Sequence, residues 1–159
     1  MKIKNKSFKD KNKKWLKRHV DDEFVQKSIS DNYRSRAAYK LVEIIEKYKI
    51  LNEVKNVIDL GSAPGSWCQV LKNHGKSLNS IIAVDILEME EIKGVTFYRL
   101  DFLSPEFENI SKTIGEFDLV LSDISPNLSG NKVSDFLLSK DLVENCLLYT
   151  SPSPRDLRA

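Results

Sequence analysis

The chain has 159 residues, room for one domain and too few for two at about 150 residues each. Its hydrophobic share of 41% and charged share of 30% exclude wholesale disorder, and no run of about 18 apolar residues marks a transmembrane helix. The net charge of +2 hides an asymmetry, because residues 1–40 hold 13 Lys and Arg against 5 Asp and Glu, net +8, whereas the rest carries net −6.

The basic start MKIKNKSFKDKNKKW has no apolar stretch behind it and does not read as a secretory signal. Residues 1–14 lack periodicity and are expected to form a disordered basic arm. Clustered Lys and Arg suggest a polyanion partner, since they displace counterions from phosphates, but charge alone favours a solubilising tail, because like-charge runs are usually just solvated. A short helix is expected over Trp15–Gln26, with Trp15, Leu16, Val20, Phe24 and Val25 as its apolar members. A stronger one runs from a Ser35 cap to about Lys49, with Ala37, Ala38, Leu41, Ile44, Ile45 and Tyr48 on one face. Four apolar runs then read as buried parallel strands: residues 56–60, 80–86, 95–100 and 117–124. Helices are expected over Ser66–Asn73, Phe107–Thr113 and Val133–Leu147. Strands alternating with helices predict a doubly wound α/β sheet. Cys68 and Cys146 stand far apart with no CxxC, which predicts no metal site and a reducing, cytoplasmic location.

Residues 148–159 break the pattern. Before residue 150 the chain has 19 Lys and 4 Arg, whereas the last ten residues have two Arg, no Lys and two Ser-Pro pairs. This segment is expected to be foreign to the domain, which would then lack the last strands of its sheet.

The stretch Asp59-Leu60-Gly61-Ser62-Ala63-Pro64-Gly65-Ser66-Trp67 follows the first strand and opens a helix, where backbone N–H groups are free to meet a ligand. It is not a dinucleotide fingerprint, because Ala63 and Ser66 stand where glycines are needed. It is not a P-loop either, since no Lys-Ser/Thr follows Gly65 and Pro64 removes a donor. Asp85, Asp101 and Asp123 end the next three strands. In a parallel sheet these ends share one edge, where open α/β folds bind ligands. Asp85 is 24 residues past Gly61, well placed for a ribose diol. Singly, each acid could be a cap or a turn residue; together, beside a glycine loop, they predict a nucleoside site.

With these residues in hand, the chain resembles the FtsJ/RrmJ family of ribosomal RNA 2′-O-methyltransferases over about residues 15–147. The motifs are Trp15, Leu16, His19, Asp22, Phe24 and Val25 at the entry, YRSRAAYKL (33–41), DLGSAPGSW (59–67), VDI (84–86), LDF (100–102) and SDISPNLSG (122–130). The resemblance implies a Rossmann-like methyltransferase using S-adenosylmethionine. It implies that Gly65 and Trp67 line the methionine side, Asp85 binds the ribose, Asp101 the adenine, and Asp123 lies near the methyl-bearing sulfur. Lys40 and Asp123 match the first two members of the family's Lys-Asp-Lys-Glu catalytic set. The second Lys, the proton acceptor, and the Glu have no counterparts in residues 148–159, so the chain as written is expected to be inactive. Without the resemblance, Lys40 reads as part of a solvated helix face with Arg36, Glu43 and Lys47.

The expected function is therefore 2′-O-methylation of a ribose, a uridine, in large-subunit (23S-type) ribosomal RNA. The resemblance implies a monomeric cytoplasmic enzyme without a membrane partner, with Arg34 and Arg36 facing the RNA. Two other readings stay open on the residues: a non-catalytic RNA- or cofactor-binding module, and a nicotinamide-dependent oxidoreductase.

Overall fold

The computed structural model describes residues 22–124, 130–147 and 149. The arm at 1–14, the entry residues Trp15, Leu16 and His19, residues 125–129 of the last motif and most of the tail lie outside the described residues. In chain order the elements are α1 (Glu23–Ser30), α2 (Ala38–Tyr48), β1 (Asn56–Leu60), α3 (Ser66–His74), β2 (Ser80–Asp85), β3 (Thr96–Arg99), α4 (Pro105–Ile114), β4 (Leu119–Ser122) and α5 (Lys132–Leu147).

The four strands form one all-parallel sheet in the order β3-β2-β1-β4. Val57 pairs with Ile81 and with Leu119, so β1 is central, and β4 is an edge among the described residues. Strand side chains alternate between faces, and the alternation is visible in the packing. Val57 and Ile81 pack with Leu41 of α2 and with Val70 and Leu71 of α3 on one face. Ile58, Leu60, Ile82 and Val84 pack with Phe107 of α4 on the other, where Leu142 of α5 joins them. Helices thus cover both faces, and the expected doubly wound arrangement is the one observed.

Several boundaries differ from the sequence reading. The helix expected over Trp15–Gln26 is interrupted at Asp22, which is extended and caps a helix starting at Glu23 by accepting the N–H groups of Phe24 and Val25; this helix runs past Gln26 to Ser30, where the Asp31 N–H donates to the Lys27 carbonyl. Helix α2 begins at Ala38 and not at a Ser35 cap. The Ser35 hydroxyl accepts the Ala37 N–H at 3.2 Å in a local turn and reaches across to Ser66. The buried face of α2 centres on Ala38 and Leu41, leaving Tyr48 outside and Ile44 at the margin. Helix α4 starts two residues early because Ser104 caps it and Pro105 suits its first turn. Strands β3 and β4 are shorter than expected, although Phe117, just ahead of β4, is buried.

Tyr149 falls in the segment expected to be foreign. Its ring lies edge-on to Phe107 at 5.3 Å and its hydroxyl donates to the Phe102 carbonyl at 2.8 Å. No helix among the described residues is long and apolar enough to cross a membrane.

Candidate active site

The strand order reverses beside β1, whose neighbours are β2 on one side and β4 on the other. Crevices at such a switch point, beyond the strand C-termini, are where open α/β sheets take ligands. The glycine loop enters this crevice from β1. Gly61 (φ +75°) and Gly65 (φ +101°) occupy the left-handed region, which favours glycine. A Cβ on Gly61 would collide with the Ile124 side chain, and one on Gly65 would lie 2.8 Å from both Arg34 Nη1 and Met89 Sδ.

Asp85, the last residue of β2, holds two loops at once. Its Oδ2 accepts the Ala63 N–H at 2.8 Å and its Oδ1 accepts the Leu87 N–H at 2.8 Å. Each carboxylate oxygen has a second lone pair for another donor. Asp101, two residues past β3, accepts the Leu103 N–H at 2.9 Å through Oδ1. Asp85, Asp101, Gly61, Leu87, Phe102 and Ile124 border a cleft of about 610 Å³, which Leu138 and Leu142 of α5 also line.

A smaller pocket of about 80 Å³ shares Gly61 with this cleft and is lined by Asp59, Ser62, Ser66 and Asp123. The Ser62 hydroxyl is buried there and has no hydrogen-bond partner among the described residues. A buried polar group without a partner is costly, and its place beside two carboxylates and a glycine loop suits a polar ligand. At the rim, Lys40 Nζ from the first turn of α2 lies 2.9 Å from each oxygen of Asp123, the residue after β4. Lys40 is therefore not simply one of a solvated row; its ammonium faces the switch point.

Lys40 is brought there by hydrogen bonds between residues 32–37 and the start of α3. The Gln69 side chain accepts the Arg34 N–H at 2.8 Å and donates to the Asn32 carbonyl at 2.9 Å. The Ser35 hydroxyl donates to Ser66 Oγ at 2.9 Å. The Trp67 indole N–H donates to the Ala37 carbonyl at 2.8 Å. Trp67 is thus mainly a buried brace beneath the small pocket, and Gly65 supports the loop from the side facing Arg34.

The two expected RNA-facing arginines diverge. Arg34 turns inward, its guanidinium donating to the carbonyls of Pro64, Glu90 and Glu91. Arg36 stays exposed and pairs with Asp22. Burial draws the Asp22 carboxyl upward, but the N–H groups of Phe24 and Val25 and the Arg36 guanidinium outweigh it and hold it below its ordinary value.

The sequence reading singled out neither Asp59 nor Ser62. Asp59 is 1% exposed and accepts the Cys68 thiol at 3.3 Å. Burial pushes its carboxyl up to about 7; the Cys68 hydrogen bond opposes this, while Asp85 and Asp123 add to it. A lone acid in the apolar strand NVIDL was the available signal. Burial also raises both thiols, Cys68 and Cys146, so neither is an activated nucleophile. No cluster of His, Cys, Asp and Glu among the described residues could hold a metal ion.

Comparison with known proteins fits this arrangement. The model of the FtsJ-like methyltransferase family matches residues 33–153. The chain is 42% identical over 148 residues to the Ribosomal RNA large subunit methyltransferase E of Rhizobium meliloti, covering 90% of this chain and 60% of that one. It is 46% identical over 136 residues to the protein of that name from Psychrobacter cryohalolentis, covering 84% and 65%. A solved ribosomal RNA methyltransferase from Plasmodium falciparum superposes with a TM-score of 0.62 at 34% identity, covering 74% of this chain and 69% of that one. The chain thus spans about three fifths of the length of these curated relatives. With a family model matching residues 33–153, the chain belongs to the FtsJ-like methyltransferase family.

Proposed function

We propose that this domain binds S-adenosylmethionine and serves the 2′-O-methylation of a ribose, a uridine, in large-subunit ribosomal RNA. The Lys40–Asp123 bridge beside the glycine loop carries the reading, in a chain 42–46% identical to proteins named Ribosomal RNA large subunit methyltransferase E.

The residues fit the cofactor. Asp85 has accepting capacity left for a ribose diol, and Asp101 for the adenine amino group. Ser62, in the small pocket with Asp123, supplies an unpartnered hydroxyl for the methionine end. Bound S-adenosylmethionine supplies an electrophilic methyl group on a cationic sulfonium. The protein's task is to hold a 2′-oxygen in line with that methyl, and such positioning accounts for much of the barrier lowering in displacement reactions. An ammonium has three donors. With Lys40 anchored to Asp123, one N–H remains to orient the ribose hydroxyl, and the carboxylate sets a negative potential beside a developing cationic centre. Proton removal needs a further group, which the resemblance assigns to a second Lys.

The basic arm and Arg36 form the RNA-facing side, the net +8 of residues 1–40 supplying the phosphate affinity. No step requires a second copy, and the working unit is a cytoplasmic monomer acting on the large ribosomal subunit. The test has two parts. Calorimetry of the chain with S-adenosylmethionine should give saturable binding. Single-turnover labelling of large ribosomal subunits by the protein at the full length of its relatives, with protein in excess, should place the methyl on a uridine 2′-oxygen. Absent cofactor binding, or label on a base, would overturn the reading.

A further inference from the structure

Arg34 is one of two arginines in the segment YRSRAAYKL, yet its surroundings differ from those of Arg36. Its side chain is 20% exposed against 57% for Arg36. Nη1 donates to the carbonyls of Pro64 at 2.9 Å and Glu90 at 2.8 Å, and Nη2 donates to the Glu91 carbonyl at 3.2 Å. The carboxylate paired with it among the described residues, Glu90, stands 3.7 Å away and is 91% exposed, so screening leaves that ion pair little weight. The partners are backbone carbonyls from two separate loops. Pro64 belongs to the glycine loop, and Glu90 and Glu91 to the loop after β2 whose first residues, Ile86 and Leu87, line the large cleft. The fork also packs on Gly65, where a Cβ would come within 2.8 Å of Nη1.

We infer that Arg34 is a positioning residue: its guanidinium clamps the glycine loop to the loop after β2 and so fixes two walls of the cofactor cleft, and it is not a phosphate contact. A guanidinium presents its donors in a rigid planar fork that can satisfy several acceptors at once. A lysine at the same position keeps the charge but cannot span three carbonyls in two loops. A phosphate contact needs the charge pointing outward, and here the donors point into the protein. The glycine loop has few other ties on this side, since Pro64 has no N–H and Gly65 has no side chain.

The effect on cofactor affinity rests on the proposed function, whereas the clamp itself does not, and the test separates them. Hydrogen exchange in the cofactor-free chain reports on the loops through the amides of Gly61, Ser62, Gly65 and Val95, which are all hydrogen-bonded. Arg34→Lys and Arg34→Ala should both speed exchange at these amides by about tenfold or more, as expected when charge-assisted hydrogen bonds are lost. Both should weaken S-adenosylmethionine binding by a similar factor while leaving the salt slope of RNA binding at its wild-type value. Arg36→Ala should do the reverse, reducing that slope by about one and sparing the loop amides. Arg34→Lys carries the test should Arg34→Ala fail to fold. Wild-type exchange rates in the Arg34 variants would overturn the clamp, as would a slope that falls in Arg34→Ala and recovers in Arg34→Lys. A wild-type chain that protects these amides yet binds no S-adenosylmethionine would instead remove the proposed cofactor and leave the clamp standing.

Discussion

Lys40 and Asp123, 83 residues apart in sequence, meet with Nζ 2.9 Å from both carboxylate oxygens. Their side chains are 63% and 39% exposed, so the pair contributes little to folding, at most about 1 kcal/mol for an ion pair at the surface. Its placement at the switch point is what the proposed function rests on. In the protein at the full length of its relatives, Lys40→Ala and Asp123→Ala should each lower single-turnover methyl transfer by about 10²–10⁴, the range for losing a group that positions or polarises the reacting hydroxyl. Melting temperatures should stay near wild type, and Lys40→Ala should change cofactor affinity little. Transfer retained in Lys40→Ala would return that residue to the solvated helix face.

Asp85 accepts backbone N–H groups from both loops, and in the proposed function its remaining lone pairs take the cofactor's ribose. Asp85→Ala should weaken S-adenosylmethionine binding by about 1–3 kcal/mol, the usual range for a hydrogen bond to a charged group plus the polar atoms left unpaired. Asp85→Asn should not rescue, because its amide nitrogen would present a donor to one of the two N–H groups. Calorimetry on both variants decides this, and unchanged affinity in Asp85→Ala would remove the residue from the site.

The sheet and its edge were legible because they depend on local signals. Apolar runs such as NVIDL fix strand and face together, and Asp85, Asp101 and Asp123 fall at or just past strand ends, so a parallel sheet must bring them to one edge. What could not be read depends on long-range partners. Nothing in YRSRAAYKL distinguishes Arg34 from Arg36; the difference comes from the Pro64, Glu90 and Glu91 carbonyls, which only the fold brings near. Ser35 looked like a helix cap because serine often is one, but its hydroxyl is drawn to Ser66. Gln69 gave no signal at all, since its role is to pair with the backbone at Asn32 and Arg34.

Asp59 should make stability fall as pH rises. Its ordinary value is 3.8, and burial moves it to about 7 in the folded chain. Between those values the folded form keeps a proton that the unfolded form has released, so raising the pH favours unfolding. Its contribution is therefore fully present below about pH 4, is lost progressively toward pH 7, and is level above. The total is on the order of 4 kcal/mol as an upper figure. Asp22 and Asp118, held below 3.8 in the folded state, act with opposite sign and only in more acidic solution. Urea denaturation across the interval should show the decline in wild type and a flatter profile in Asp59→Asn, whose carbonyl still accepts the Cys68 thiol. Parallel profiles would show that Asp59 does not hold its proton.

On one flank β4 pairs with β1; the other flank has no strand partner among the described residues. Beside it runs a groove of about 300 Å³ lined by Val120, Ile124, Leu142, Val143, Cys146 and Leu147. Helix α5 buries none of its residues and exposes Val133, Phe136, Leu137, Leu138, Val143 and Leu147. An apolar strand edge beside an apolar helix offers both backbone pairing and hydrophobic area to another chain. The isolated chain should therefore self-associate at micromolar concentration, its average mass rising with concentration. Phe136→Lys should reduce this without lowering the unfolding midpoint, because Phe136 is 66% exposed and its loss opens no cavity. Val120→Lys should also reduce association but lower the midpoint, because Val120 packs against the core on the α4 side of the sheet. Sedimentation velocity read beside urea melts separates the two effects. A wild-type chain that sediments as a single monomeric species across that range would overturn the prediction.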